Sequence, residues 1–168
     1  MKAVYPGSFD PFTLGHLNIL ERATKIFDSI TVVIAKNNQK KYMFTPEQRY
    51  NIALLSTAHL KNVCVVNYSG IVADFANDEK TDVIIRGIRG STDLDHEIKL
   101  EQYNSKVCTA ETIYLTPKTE YLNTSSTLVR MFIESKKLDY VSNHISQEAL
   151  EYIKSLFNGG QIHCFPPQ

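Results

Sequence analysis

Five short apolar segments rich in β-branched residues, each followed by a stretch of helical periodicity, recur along this 168-residue chain. Strands are expected at Ala3–Tyr5, Ile30–Ala35, Val63–Tyr68, Val83–Arg86 and Thr112–Leu115, each apolar enough to be buried on both faces of a sheet. Between them the pattern turns helical. Leu17, Leu20, Ala23, Thr24 and Phe27 repeat at three-to-four spacing, and Thr45-Pro46-Glu47-Gln48 is a capping box with proline at the first helical position. Ser69 opens a helix carrying Ile71, Val72 and Phe75, and Asp93 to Val107 forms another with Leu94 and Ile98 on one side. Helices near Ser126–Ser135 and Gln147–Phe157 follow the fifth strand, and Asn158-Gly159-Gly160 ends the last one. This alternation predicts a single-domain, doubly wound α/β fold: a five-stranded parallel sheet of order 3-2-1-4-5 with C-terminal helices. The domain is expected to span residues 1–157, with 158–168 as a peripheral tail.

In such a sheet, ligands bind beyond the carboxyl ends of the strands where the winding reverses, between the first and fourth strands. The loop after the first strand is Gly7 to His16, GSFDPFTLGH. Pro6-Gly7 forces a sharp turn, and the small residues Gly7, Ser8 and Gly15 let backbone N–H groups approach a phosphate. His16 falls in the first helical turn, where the helix dipole disfavours the imidazolium and leaves a neutral ring able to donate to a phosphate oxygen. Alone, such a histidine reads as a helix cap. Three further features on the same rim argue for a site. Arg86-Gly87-Ile88-Arg89-Gly90 follows the fourth strand and brings two planar forks suited to phosphate. Thr124-Ser125-Ser126-Thr127 opens the helix after the fifth strand with free N–H groups and hydroxyls. The polar loop Lys36-Asn37-Asn38-Gln39-Lys40-Lys41 follows the second strand; it reads either as a solvated loop or as one that sends a lysine into the crevice.

Bulk properties narrow the partners. Eighteen basic and eighteen acidic side chains balance, which argues against nucleic-acid or membrane-surface binding and leaves any anion site to a few local cations. No apolar run approaches the roughly 18 residues of a transmembrane helix. The start, MKAVYPGS, lacks the apolar stretch of a signal peptide. Cys64, Cys108 and Cys164 are odd in number and widely spaced, as expected of reduced thiols in a cytoplasmic protein, with Cys64 expected in the core. Neither GxGxxG nor GxxxxGK[ST] occurs, which disfavours a dinucleotide-dependent dehydrogenase or a P-loop NTPase. The motifs place no serine or cysteine beside a base and no carboxylate pair, so covalent and acid–base mechanisms gain little support. Direct phosphoryl-type transfer fits, because it asks the protein mainly for positioning and charge stabilisation.

Thr13-Leu14-Gly15-His16 resembles the TxGH signature of the nucleotidylyltransferase superfamily. With PGSFDP before it, IRGIRG at Ile85–Gly90 and SSTLVR at Ser125–Arg130, the chain resembles the bacterial phosphopantetheine adenylyltransferases over roughly Lys2 to Phe157. The resemblance implies transfer of the adenylyl group from Mg-ATP to 4′-phosphopantetheine, giving dephospho-coenzyme A and pyrophosphate. Carried over by position, Ser8, Lys40, Val72 and Arg86 would hold the acceptor. ATP would meet Ser8, Phe9, His16, Gly87, Ile88, Arg89, Glu97, Tyr121, Leu122, Asn123, Thr124, Ser125, Ser126 and Thr127. His16, Lys40 and Arg89 would act on the transition state. Magnesium would be held through ATP and water with no protein ligand. The resemblance also implies a homohexamer built as a dimer of trimers, with coenzyme A as a further partner. The chain departs from the commonest family pattern at Ser8, usually Thr; at Tyr121, often Trp; and at Asn37, His96 and Asn123-Thr124. Another nucleotidylyltransferase of the superfamily, or a non-catalytic nucleotide sensor on the same fold, is the alternative reading; IRGIRG and Lys40-Lys41 count against the first, and His16, Lys40, Arg86 and Arg89 against the second.

Overall fold

The computed structural model describes residues 1–36 and 40–158. Strands β1 (Lys2–Gly7), β2 (Ser29–Ala35), β3 (Val63–Tyr68), β4 (Val83–Gly87) and β5 (Glu111–Leu115) form one sheet in the order β3-β2-β1-β4-β5, with every pairing parallel. The expected order is therefore the observed one. Its register sets Val4 of β1 opposite Thr31 of β2 and Ile84 of β4.

Helices α1 (Leu14–Ala23), α2 (Pro46–Thr57), α3 (Val72–Asp78) and α4 (Ser91–Asn104) connect the strands; α5 (Ser126–Glu134), α6 (Leu138–Val141) and α7 (Gln147–Asn158) follow β5. The Thr45 cap is present, with its hydroxyl accepting from the Gln48 N–H at 3.1 Å and Gln48 Oε1 accepting from the Thr45 N–H at 2.9 Å. Helix boundaries differ from expectation where loops intervene. α1 ends at Ala23, so Phe27 packs from the turn beyond it; α3 begins at Val72 rather than Ser69; α4 spans Ser91–Asn104 rather than Asp93–Val107. A 3-10 turn at Thr119–Tyr121 and the one-turn α6 are too short to leave a periodic signature. The last helix runs to Asn158, and the tail from 159 onward, including Cys164, lies outside the described residues.

Alternation along the strands divides the interior into two unequal cores. Ala3, Tyr5, Ile30, Val32, Ile34, Val83 and Ile85 face a thick layer formed by α1, α2, α5, α6 and α7, with Phe12, Leu20, Ile52 and Ile153 fully buried in it. Val4, Val33 and Ile84 face a thin one, closed by Ala76 of α3 and Ala110. The split follows from the right-handed crossover rule, which puts the helices wound toward β3 on one face and those wound toward β5 on the other.

Burial on both faces holds for β1, β2 and β4 and fails at the edges. In β3 only Val65 is fully buried, and β5 has no fully buried residue. Cys64, expected in the core, is exposed, with Sγ 3.2 Å from Thr31 Oγ1. It sits on the thin face of an edge strand, where the seven-residue α3 covers too little to enclose it. Among the described residues no helix is long and apolar enough to cross a membrane.

Because α7 supplies much of the thick core, Ile153→Ala should lower the unfolding free energy by about 2–5 kcal/mol. Urea denaturation checks this, and a loss well below that range would place α7 off the core.

Candidate active site

A cavity of about 950 Å³ opens over the carboxyl ends of β1, β2 and β4. Chain leaving β1 winds toward the β3 edge and chain leaving β4 winds toward the β5 edge, so the loops after these strands separate and leave the opening between them.

The loop after β1 is held by its own aromatic side chains. Phe9 adopts φ 45°, a conformation uncommon for a non-glycine residue, and its ring packs on Tyr5, Phe12 and His16 at centroid distances of 5.3, 5.0 and 5.0 Å. Gly7 permits that fold-back, since a Cβ there would lie 2.7 Å from the Phe9 ring. A Cβ on Gly15 would stand 3.4 Å from the Thr124 carbonyl and 3.6 Å from that of Tyr121, so the start of α1 abuts the chain before α5.

His16 is oriented by the helix it begins. The Thr13 N–H donates to His16 Nδ1 at 3.0 Å, which makes Nδ1 an acceptor and puts the proton of the neutral ring on Nε2. Burial among Phe9 and Phe12, followed by the Arg89 charge, lowers its pKa to about 4. The ring is therefore neutral at pH 7, as the sequence suggests. Burial is the leading cause, rather than the helix dipole invoked there.

The two arginines face the same cavity, each engaged by a carboxylate of α4. Arg86 Nε donates to Glu97, while its Nη1 donates to the Pro6 carbonyl at 3.3 Å; both side chains of the pair are largely buried. Arg89 donates to Asp93 through Nε at 2.9 Å and Nη2 at 3.3 Å. On the opposite wall, Ser125 caps α5 by accepting from the Leu128 N–H at 3.1 Å, and Ser126 Oγ donates to the Pro11 carbonyl at 2.8 Å.

Of the residues singled out in the sequence, Ser8, Phe9, His16, Lys40, Val72, Arg86, Gly87, Arg89, Glu97, Thr124, Ser125, Ser126 and Thr127 line this cavity. Ile88, Tyr121, Leu122 and Asn123 do not; Ile88 instead extends the sheet by donating its N–H to the Leu115 carbonyl at 3.0 Å. Asn37 lies outside the described residues.

Sequence reasoning missed several lining groups. Arg130 is one: it ends the SSTLVR run, lines the cavity, and donates to the Asp10 carbonyl at 2.7 Å and to Thr127 Oγ1 at 3.2 Å. Its place four residues after Ser126, one helical turn, was the available signal. Ile71, Leu100, Tyr103 and Asn104, from the start of α3 and the second half of α4, form a more apolar stretch of wall on the thin-core side of the sheet. His144 had no signal at all. Its carbonyl accepts from the Leu14 N–H at 2.8 Å, its Nδ1 lies 3.1 Å from Thr124 Oγ1, and its ring stacks on Phe132, so it braces both α1 and the Thr124 segment.

The sequence has counterparts among known proteins. A family model described as cytidylyltransferase-like matches residues 4–132. A phosphopantetheine adenylyltransferase of Actinobacillus pleuropneumoniae is 44% identical over 128 residues, covering 76% of this chain and 81% of that protein. One of Aliivibrio fischeri is 40% identical over 154 residues, covering 88% and 96% respectively. The chain belongs to the phosphopantetheine adenylyltransferases, within the cytidylyltransferase-like family.

Proposed function

We propose that this chain transfers the adenylyl group of ATP to the phosphate of 4′-phosphopantetheine, forming dephospho-coenzyme A and pyrophosphate, as a step of coenzyme A synthesis. The observation that carries this reading is one cavity faced by a neutral His16, Lys40, Arg86, Arg89, Arg130 and the start of α5. These groups bind and orient phosphates without offering a serine or cysteine activated for attack.

In the proposed displacement an oxygen of the acceptor phosphate attacks the α-phosphorus of ATP. The bond to the bridging oxygen breaks, and pyrophosphate leaves with the electron pair. His16 donates from Nε2 to an α-phosphate oxygen, where negative charge concentrates in the transition state. Lys40 turns the acceptor phosphate toward phosphorus, and Arg89 neutralises charge on the nucleotide. Ser125, Ser126 and Thr127, at the α5 N-terminus, take the triphosphate, with Gly87 and Ser8 beneath it. Glu97 and Thr124, in the cavity lining, border the nucleoside, and Ile88 with residues 121–123, which adjoin lining residues in the chain, meet it from beyond that lining. Arg86 and Ser8 anchor the acceptor phosphate, and Val72 with Ile71, Leu100, Tyr103 and Asn104 gives its long arm an apolar bed with one amide partner. Nicotinamide mononucleotide has no such arm, which favours the pantetheine substrate over a second nucleotide.

The donor set suits a magnesium ion that arrives on the triphosphate. Of the carboxylates facing the cavity, Glu97 and Asp93 are paired with Arg86 and Arg89, and Asp10 accepts from the Met43 and Phe44 N–H groups. Magnesium, when bound, supplies further neutralisation of the phosphates. The exposed apolar side chains Ile71, Ile98, Leu100, Tyr103 and Val107 on the α3–α4 side support assembly into the homohexamer, a dimer of trimers. The free thiols of Cys64 and Cys108 agree with a cytoplasmic setting, and coenzyme A would compete for the same cavity through its shared pantetheine arm.

Mixing the protein with Mg-ATP and either 4′-phosphopantetheine or nicotinamide mononucleotide should release pyrophosphate only with the former. Labelled ATP alone should leave no AMP on the protein, as a direct displacement requires; a stable adenylyl-enzyme would overturn the mechanism. His16→Ala should lower kcat by about 10²-fold to 10³-fold, as loss of one preorganised donor does. Circular dichroism at the assay temperature separates that effect from unfolding. Calorimetric titration of each ligand should divide the arginines. Arg86→Ala should weaken 4′-phosphopantetheine and Arg89→Ala should weaken Mg-ATP, each by about 2–3 kcal/mol, with Lys restoring charge but not the fork. Equal loss toward one ligand would refute that division.

A further inference from the structure

Among the described residues, Arg49 has the largest fully buried side chain, at 1% exposure, yet it carries a charge and does not belong to any of the phosphate motifs. It lies in the first turn of α2, beneath the cavity floor. One nitrogen, Nη1, donates both to the Ser8 carbonyl at 2.5 Å and to the Ala35 carbonyl at 3.2 Å. These carbonyls stand where the chain leaves β1 for the His16 loop and where it leaves β2 for Lys40. Ser8 lies beyond the last pair of β1, and Ala35 is the last residue of β2, paired with Tyr68 of β3 alone, so Arg49 supplies a donor to both oxygens where the ladder ends. The guanidinium carbon lies 4.1 Å from the centroid of the Tyr42 ring, in the segment that follows Lys40. Asp10 closes the arrangement from above. At 4% exposure, its carboxylate accepts from the Met43 N–H at 3.0 Å and the Phe44 N–H at 2.9 Å, tying the far end of the Lys40 segment to the same loop.

Taking a guanidinium out of water costs several kcal/mol, and apolar replacements of buried ions are often neutral or stabilising. Folding alone therefore gives a weak reason for Arg49, and the groups it touches give a better one. We propose that Arg49, with Asp10, is a positioning residue for the acceptor side of the site, holding the Ser8 loop and the Lys40 segment at the spacing that one phosphate needs. Arg49 is itself too buried to touch a ligand and acts through the Ser8 carbonyl, the Ala35 carbonyl and the Tyr42 ring. The inference rests on the reading of Ser8 and Lys40 as the acceptor's partners. Most of the groups that take the triphosphate, Arg89, Ser125 and Thr127 among them, are held by other elements, so KM for ATP should change little even though Ser8 and His16, on the loop that Arg49 holds, also face the nucleotide.

The test compares the wild type with Arg49→Met, which keeps length and apolar bulk, and Arg49→Lys, which keeps charge but not the fork. Steady-state kinetics with each substrate varied in turn are read beside urea unfolding. Arg49→Met should unfold at a urea midpoint equal to or above the wild type, with kcat/KM for 4′-phosphopantetheine reduced at least tenfold and KM for Mg-ATP within twofold. Arg49→Lys should recover part of the acceptor defect. Loss spread equally over both substrates, or an acceptor kcat/KM within twofold of wild type in folded Arg49→Met, overturns the inference. Should Arg49→Met not fold, the same two ratios in Arg49→Lys decide. A wild type that is inactive with this acceptor refutes the substrate reading and this inference together, whereas an active wild type with an unaffected Arg49→Met refutes this inference alone.

Discussion

The reversal of winding at β1 is the constraint on which the rest of the molecule depends. A right-handed crossover leaves no choice of face: connections wound toward β3 stack on one side and those wound toward β5 on the other. β1 is therefore the one strand whose neighbours on either side are approached from opposite faces, and the chain beyond it has no helix directly overhead. The cavity is a topological product before it is a chemical one. The two cores inherit the same asymmetry. Three further helices thicken one face, while the other is closed by α3 and a loosely seated α4 that has no fully buried side chain among its described residues.

Backbone groups perform much of the positioning within that cavity. A main-chain N–H selects the His16 tautomer, so a side chain that lines the cavity is oriented by the same turn that starts α1. Main-chain carbonyls at the ends of β1 and β2 share one guanidinium nitrogen, and the first N–H of α1 is anchored to the His144 carbonyl far along the chain. Side chains that do chemistry are thereby referenced to the sheet rather than to flexible loops, which is how geometry good to a fraction of an ångström can be kept.

The fold could be read from the residues because β2 and β4 are dense β-branched runs, β1 is a short apolar one, and α2 carries its own punctuation at Thr45-Pro46. Periodicity became uninformative where structure was brief or edge-bound: α6 is a single turn, and Cys64 looks like core until α3 is seen to be too short to cover its edge strand. The site divides in the same way. His16, Arg86, Arg89 and Ser125 sit in glycine- or serine-marked turns whose composition pointed to a site, and all four line the one cavity. Arg49, Asp10 and His144 act through tertiary contacts with residues far away in the chain, and no local pattern announces such pairings. Arg49 in particular looks in sequence like an ordinary surface residue of an amphipathic helix.

Arg86 and Arg89, which face the cavity, are each paired with a carboxylate of α4. On the proposed reading, a phosphate would exchange with that carboxylate instead of filling an open positive hole, and its net attraction would be the difference between two good hydrogen-bonded partners. The exchange would favour a dianion over a monoanion, because the incoming group must replace an ion pair already made. It would also work in reverse: on release, each arginine would return to the carboxylate of the same helix and not be stranded as a bare cation. The helix that changes partners is the most weakly packed of those that connect the strands, which lets the exchange proceed without disturbing the thick core beneath.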